Sequence, residues 1–175
     1  RLFSLFYYYP VEPAVSWKVE SYFQKIYPFD EDPTSPLNSG WIHKDHEDAI
    51  CAGVIYLNPD SNRNAGTSFY SLKEDIFNVD TGYDLRNQLY AEEDIDLEAY
   101  KKQQEKVNSQ YEKTIEVGNV FNRLAFYGAD IPHKENCFVA SDKEPRLTQV
   151  FFVTKIKSTM QSSPLPRLQE NGIEF

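Results

Sequence analysis

The chain is poor in cysteine, in basic charge and in histidine. Of its 175 residues two are cysteines, Cys51 and Cys137, too few for the disulfide framework of a small secreted domain. They suit a reducing compartment and read as small buried residues rather than ligands. Lys and Arg total 18 against 27 Asp and Glu, a formal charge of −9. A nucleic-acid partner requires a basic surface, so the balance argues against one and leaves room only for a local basic groove. No apolar run has the length of a bilayer span and no charged leader with a cleavage site is seen, so no membrane partner and a cytoplasmic location are expected. Histidine occurs three times, as His43, His46 and His133, so any imidazole chemistry draws on these alone. Aromatics, by contrast, are plentiful, with 12 Phe, 12 Tyr and 2 Trp, and such residues fill half-buried sheets well. The length suits a single domain with a real core.

The most informative stretch is Gly40 to Tyr70. His43 and Asp45 are two residues apart, and on extended backbone alternate side chains share a face. Both can point into one cavity, with Lys44 outward. His133, in the run Ala129-Asp130-Ile131-Pro132-His133, is the histidine left to complete the set. Two imidazoles and one carboxylate make the facial triad of non-haem Fe(II) sites, which leaves positions open for a cosubstrate and O2. His46 and Asp48 repeat the pattern three residues on and are the second choice. Arg146, which follows His133 by thirteen residues, is placed to hold a carboxylate through a bidentate bond. Tyr56 could add a hydroxyl donor.

Along the chain, 1–9 reads as a strand. Residues 12–27 carry Val15, Val19, Tyr22, Phe23 and Ile26 at helical spacing, with Pro13 at the start and Pro28 as a stop, so 1–40 is expected to be a strand and a supporting helix. Residues 28–40 read as a loop. Residues 49–57 and 67–72 read as strands joined by a polar turn, NPDSNRNA, and so as a hairpin. Residues 73–111 look inserted: Lys73 to Glu98 holds nine acids against two bases, Lys73 and Arg86. This run is a solvated face, or a lid or dock for a cationic substrate. Leu97, Tyr100, Gln104, Val107 and Tyr111 then mark an amphipathic helix. Strands follow at 112–117, 122–127, 138–140 and 146–156. Residues 157–175 form an arm or a disordered end. The whole predicts one mainly β domain with flanking helices, a jelly roll of cupin type with its site in the mouth and a core over 41–156.

These pieces resemble the 2-oxoglutarate- and Fe(II)-dependent dioxygenases, particularly their prolyl-hydroxylase-like branch and its short bacterial and phage members. The residues that carry the likeness are Trp41-Ile42-His43-Lys44-Asp45, Val54 to Asn58, Gly66 to Phe69, Arg123 to Tyr127, Pro132-His133 and Arg146, in that family's order. The resemblance implies a double-stranded β-helix, Fe(II) held by His43, Asp45 and His133, 2-oxoglutarate as cosubstrate with its far carboxylate on Arg146 and a hydrogen bond from Tyr56, and hydroxylation of a C–H bond in a peptide side chain, amino acid or small metabolite. Asp45 favours hydroxylation over halogenation, which needs that position empty for a halide. The spacing from His133 to Arg146 is longer than is usual there, and the turn Lys143-Glu144-Pro145 would absorb it. The alternatives are a non-catalytic β-sandwich binding module and a cupin-type metalloenzyme that does not use 2-oxoglutarate.

Overall fold

A computed structural model describes residues 15–45, 48–74, 76, 79, 81–82, 85–86, 96–141 and 144–158. Among the described residues the main elements in chain order are β1 (Val15–Ile26), β2 (Cys51–Tyr56), β3 (Thr67–Leu72), α1 (Leu97–Ser109), β4 (Tyr111–Val117), β5 (Leu124–Gly128), β6 (His133–Glu135) and β7 (Arg146–Ser158). They form two antiparallel sheets, one ordered β1-β7-β2-β5 and one ordered β4-β3-β6. The chain is thus mainly β, an arrangement consistent with a β-sandwich. Among the described residues no helix is long and apolar enough to cross a membrane.

The sheets are built from period-two patterns. Val54, Tyr56 and Ala125 form one buried cluster, with Tyr127 and Val150 packed on it. Their register explains this, because Val54 lies opposite both Ala125 and Val150, and directly opposed residues share a face. On the other face of this sheet Phe126 and Phe151 stack at 5.9 Å. Gly53 lies between them, where a Cβ would overlap the Phe151 ring.

Several expectations are corrected. Residues 15–26 form a strand, not a helix. The apolar positions that suggested a helical stripe are not a buried stripe: Val19, Tyr22 and Phe23 are 43%, 55% and 74% exposed. Pairing along the whole of β7, from Val15↔Ser158 to Ile26↔Arg146, decides the matter for a segment rich in β-branched and aromatic residues. β2 and β3 do not form a hairpin. β2 pairs with β5 and β7, whereas β3 pairs with β4 and β6, so the polar turn carries the chain from one sheet to the other. Residues 138–140 contribute only the isolated bridge Val139↔Pro145. The short strand lies earlier, at β6. The expected strand at 1–9, His46 of the second-choice pair, and the arm beyond 158 lie outside the described residues.

The expected amphipathic helix is present. Asp96 caps α1 by accepting from the N–H groups of Glu98 and Ala99 at 3.0 and 3.1 Å, satisfying two of the free donors at a helix start. Tyr100 and Val107 bury against Leu37 and Trp41, with the Trp41 and Tyr100 rings edge to face at 5.0 Å. Two polar contacts fix the segment before His43 to this helix. The Gln104 amide donates to the Ser39 carbonyl at 2.9 Å, and the Ile42 N–H donates to Asn108 Oδ1 at 2.8 Å. Asn38 organises the preceding loop: its side chain accepts from the N–H groups of Phe29 and Asp30 and donates to the carbonyls of Asp30 and Asp32.

Candidate metal centre

His43 and His133 form an antiparallel bridge in which each backbone N–H donates to the other's carbonyl at 2.9 Å. Such a pair puts both side chains on one face, and the two imidazoles lie with their centroids 4.5 Å apart. Asp45, two residues on, returns to that face, and its N–H donates to the Ala129 carbonyl at 3.0 Å. The potential ligand atoms of His43, Asp45 and His133 all lie within 4.8 Å of one another. Lys44 between them is exposed.

Both histidines are oriented by the backbone. His43 Nδ1 lies 2.8 Å from the Trp41 carbonyl and His133 Nδ1 lies 2.9 Å from the Ile131 carbonyl. A carbonyl only accepts, so each Nδ1 carries the proton and each Nε2 presents a lone pair when the ring is neutral. This is the way metal-binding histidines are commonly held. Burial, with the charges of His133 and Arg86, lowers the His43 pKa to about 3, so His43 is neutral at ordinary pH. Tyr127 lies 3.2 Å from His133 Nε2 and donates its hydroxyl proton there. Burial, and after it the Asp45 carboxylate, pushes the Tyr127 pKa up, so the hydroxyl keeps its proton.

Asp45 fits a cation as well. Its side chain is 8% exposed, with Oδ1 3.6 Å from His133 Nε2, too far for a hydrogen bond. Its Oδ2 is buried without a hydrogen-bond partner among the described residues. Burial raises its pKa, partly offset by His133. A buried carboxylate left in this state is costly, and a hard divalent cation between Asp45 and two imidazole lone pairs would remove that cost.

The three residues line a cavity of about 1260 Å³ that also takes in Arg86, Tyr127, Glu135 and Arg146. Arg146 is 1% exposed. Asn58 fixes the backbone on both sides of it, donating to the Pro145 carbonyl at 3.0 Å and accepting from the Leu147 N–H at 2.8 Å. The guanidinium Nε donates to the Ala65 carbonyl at 3.0 Å. Among the described residues no carboxylate reaches it as an ion pair, so a strand-edge ion pair with Glu144 is not formed; Asp142, the other candidate for such a pair, lies outside the described residues. Tyr56 is placed differently from the expectation. Its hydroxyl donates to Thr67 Oγ1 at 2.9 Å and its ring lies 5.8 Å from the Arg146 guanidinium carbon. It supports Arg146 and Thr67, and Thr67 faces the cavity in its stead.

Residues 37–153 match a family of unknown function, DUF6445. The chain belongs to that family. The matched DUF6445 stretch holds every residue of the cavity named above and leaves out β1. No curated protein and no solved structure matches the chain.

Three cavity residues were not singled out from the sequence. Glu135 follows His133 by two, the same spacing that pointed to Asp45 after His43, and could have been read that way. Tyr127 shares a face with Ala125 by the same alternation. Arg86 gave no signal beyond being a base in an acidic run.

Proposed function

We propose that this protein is a 2-oxoglutarate- and Fe(II)-dependent dioxygenase built on a double-stranded β-helix, and that it hydroxylates a C–H bond. The observation that carries this reading is one cavity holding both a His-Asp-His triad, with its two Nε2 lone pairs free of backbone duties, and a buried guanidinium without a counter-ion among the described residues. The bound metal would supply O2 activation, in the overall conversion of O2, 2-oxoglutarate and R–H to R–OH, succinate and CO2. His43, Asp45 and His133 would hold the metal on one face. The Trp41 and Ile131 carbonyls keep the two imidazoles aimed at it. Arg146 would take the far carboxylate of 2-oxoglutarate in a charge-assisted pair, with Thr67 as the neighbouring hydroxyl.

The test is succinate release with Fe(II), 2-oxoglutarate and O2, compared among wild type, His43→Ala and Arg146→Ala. The expected result is that His43→Ala abolishes turnover and Arg146→Ala raises the KM for 2-oxoglutarate by ten- to hundredfold, on the order of one lost charged hydrogen-bond pair. Equal succinate release from all three would reject the assignment. Anaerobic uptake of Mn(II) without affinity for 2-oxoglutarate would point instead to a cupin-type metalloenzyme.

A further inference from the structure

Four charged groups lining the cavity have no part in holding the metal or the far carboxylate: Lys44 and Asp130 are exposed, whereas Arg86 and Glu135 are half-buried. Arg86 comes from the acidic segment, and its backbone is fixed from beneath. Its N–H donates to the Gly82 carbonyl at 3.1 Å. Gly82 has φ +56°, and a Cβ there would overlap the Trp41 ring, so glycine is required both for the turn and for the close approach. Leu85 packs on the cluster of Leu37, Trp41, Tyr100 and Val107. Arg86 is thereby held half-buried in the cavity wall, and its guanidinium has no hydrogen-bond or ion-pair partner among the described residues. Glu135 shares its face of β6 with His133, opposite Thr67, and lies against Gly40, where a Cβ would meet its carboxylate. It too forms no ion pair among the described residues. Arg86 and Glu135 sense each other's charge but do not meet.

We propose that Arg86 and Glu135 anchor the substrate, and that the substrate is a small zwitterion with a carboxylate and an ammonium group close together, as in a free α-amino acid. This rests on the oxygenase reading. Arg86 takes the carboxylate and Glu135 the ammonium, each gaining an ion-pair partner that no described residue supplies. The charge balance favours a neutral guest. Asp45, Glu135, Arg86, Arg146, a divalent metal and dianionic 2-oxoglutarate cancel within the cavity, as do the exposed Lys44 and Asp130 of its wall. A dicarboxylate would leave Glu135 facing an anion, and a diamine would leave Arg86 facing a cation.

The experiment loads the protein anaerobically with Mn(II) and 2-oxoglutarate and titrates it calorimetrically with the free α-amino acids, their decarboxylated amines and their N-acetyl derivatives. At least one free amino acid is expected to bind, with its amine and N-acetyl forms weaker by about ten- to hundredfold. Arg86→Met is expected to erase the discrimination against the amine, and Glu135→Gln that against the N-acetyl form. Both variants should still take up Mn(II), which reports that they are folded, and Glu135→Gln should bind 2-oxoglutarate at least as tightly as wild type. If wild type holds Mn(II) and 2-oxoglutarate but no free amino acid, the zwitterion proposal is overturned and the oxygenase reading stands. If it holds no 2-oxoglutarate, both fall. If Glu135→Gln weakens 2-oxoglutarate and leaves amino-acid selectivity unchanged, Glu135 is a positioning partner of Arg146 and the proposal is overturned.

Discussion

Replacing Asp45 by alanine should make the metal-free protein no less stable and at the same time abolish its stabilisation by metal. The carboxylate is 8% exposed and lies 3.6 Å from His133 Nε2, while Oδ2 has no partner among the described residues. Leaving a buried acceptor unsatisfied costs roughly 1–3 kcal/mol, and a charged one more. Truncation to alanine also gives up packing around a small side chain, about 1 kcal/mol at a site of this size. The expected balance for the metal-free variant is therefore between no change and a gain of about 2 kcal/mol. For a domain of this length each kcal/mol moves Tm by roughly 2–4 °C. Wild type at a Mn(II) concentration a hundred times Kd should gain about 2.7 kcal/mol, which on the same scaling is roughly 5–11 °C. The variant should gain nothing. Thermal unfolding of both proteins in EDTA and in Mn(II) measures all four states. A metal-free variant that is less stable by more than about 1 kcal/mol, or one that still responds fully to Mn(II), would mean that Asp45 is satisfied by the fold and not kept for a cation.

Other outcomes follow from neighbouring contacts. Tyr127→Phe removes the hydroxyl that occupies His133 Nε2; a metal no longer has to displace that hydrogen bond, so Mn(II) should bind tighter by up to about fivefold, the equivalent of roughly 1 kcal/mol, as read by anaerobic calorimetry. Asn108→Ala unties the Ile42 N–H from α1 and should weaken Mn(II) binding by about tenfold, as loss of an outer partner of a metal ligand does, with helix content unchanged by circular dichroism. Without metal, His43 titrates at about 3 in the fold against about 6.5 when unfolded. The unfolded chain therefore binds the extra proton, and stability should fall as pH drops from about 6.5 toward 3. Glu135, held at about 2 because the charges of His43, Arg146 and Arg86 outweigh its burial, adds to that loss at the acid end, whereas Asp45, raised by burial, works against it. Denaturant unfolding from pH 7 to pH 5 should show a shallower slope for His43→Gln than for wild type; equal slopes would mean that His43 is not the group responsible.

The strands from Cys51 onward were largely legible because their alternation is strong and local. The helix at Leu97–Ser109 was legible because Tyr100, Gln104 and Val107 repeat on one face. The first strand was not. Val15, Val19, Tyr22, Phe23 and Ile26 satisfy helical spacing as well as they satisfy a pleat, and the choice is made by β7, more than a hundred residues away. The same distance hides the crossover between β2 and β3, since a polar turn looks alike whether the chain reverses within a sheet or leaves for another.

The residue types and their order, taken alone, offered two imidazoles and one carboxylate as a candidate set for a divalent cation, because only three histidines exist and Asp45 stands two residues after one of them; they left His46 with Asp48 as a second choice. Tertiary structure decided the rest. The mutual N–H to carbonyl pair of His43 and His133 places their rings on one face, the carbonyls of Trp41 and Ile131 choose which nitrogen is free, and the packing of Gly82 on Trp41 brings Arg86 into the cavity that Glu135 also lines. These are contacts between segments far apart in the chain, and no local pattern of residues encodes which distant backbone a side chain will meet.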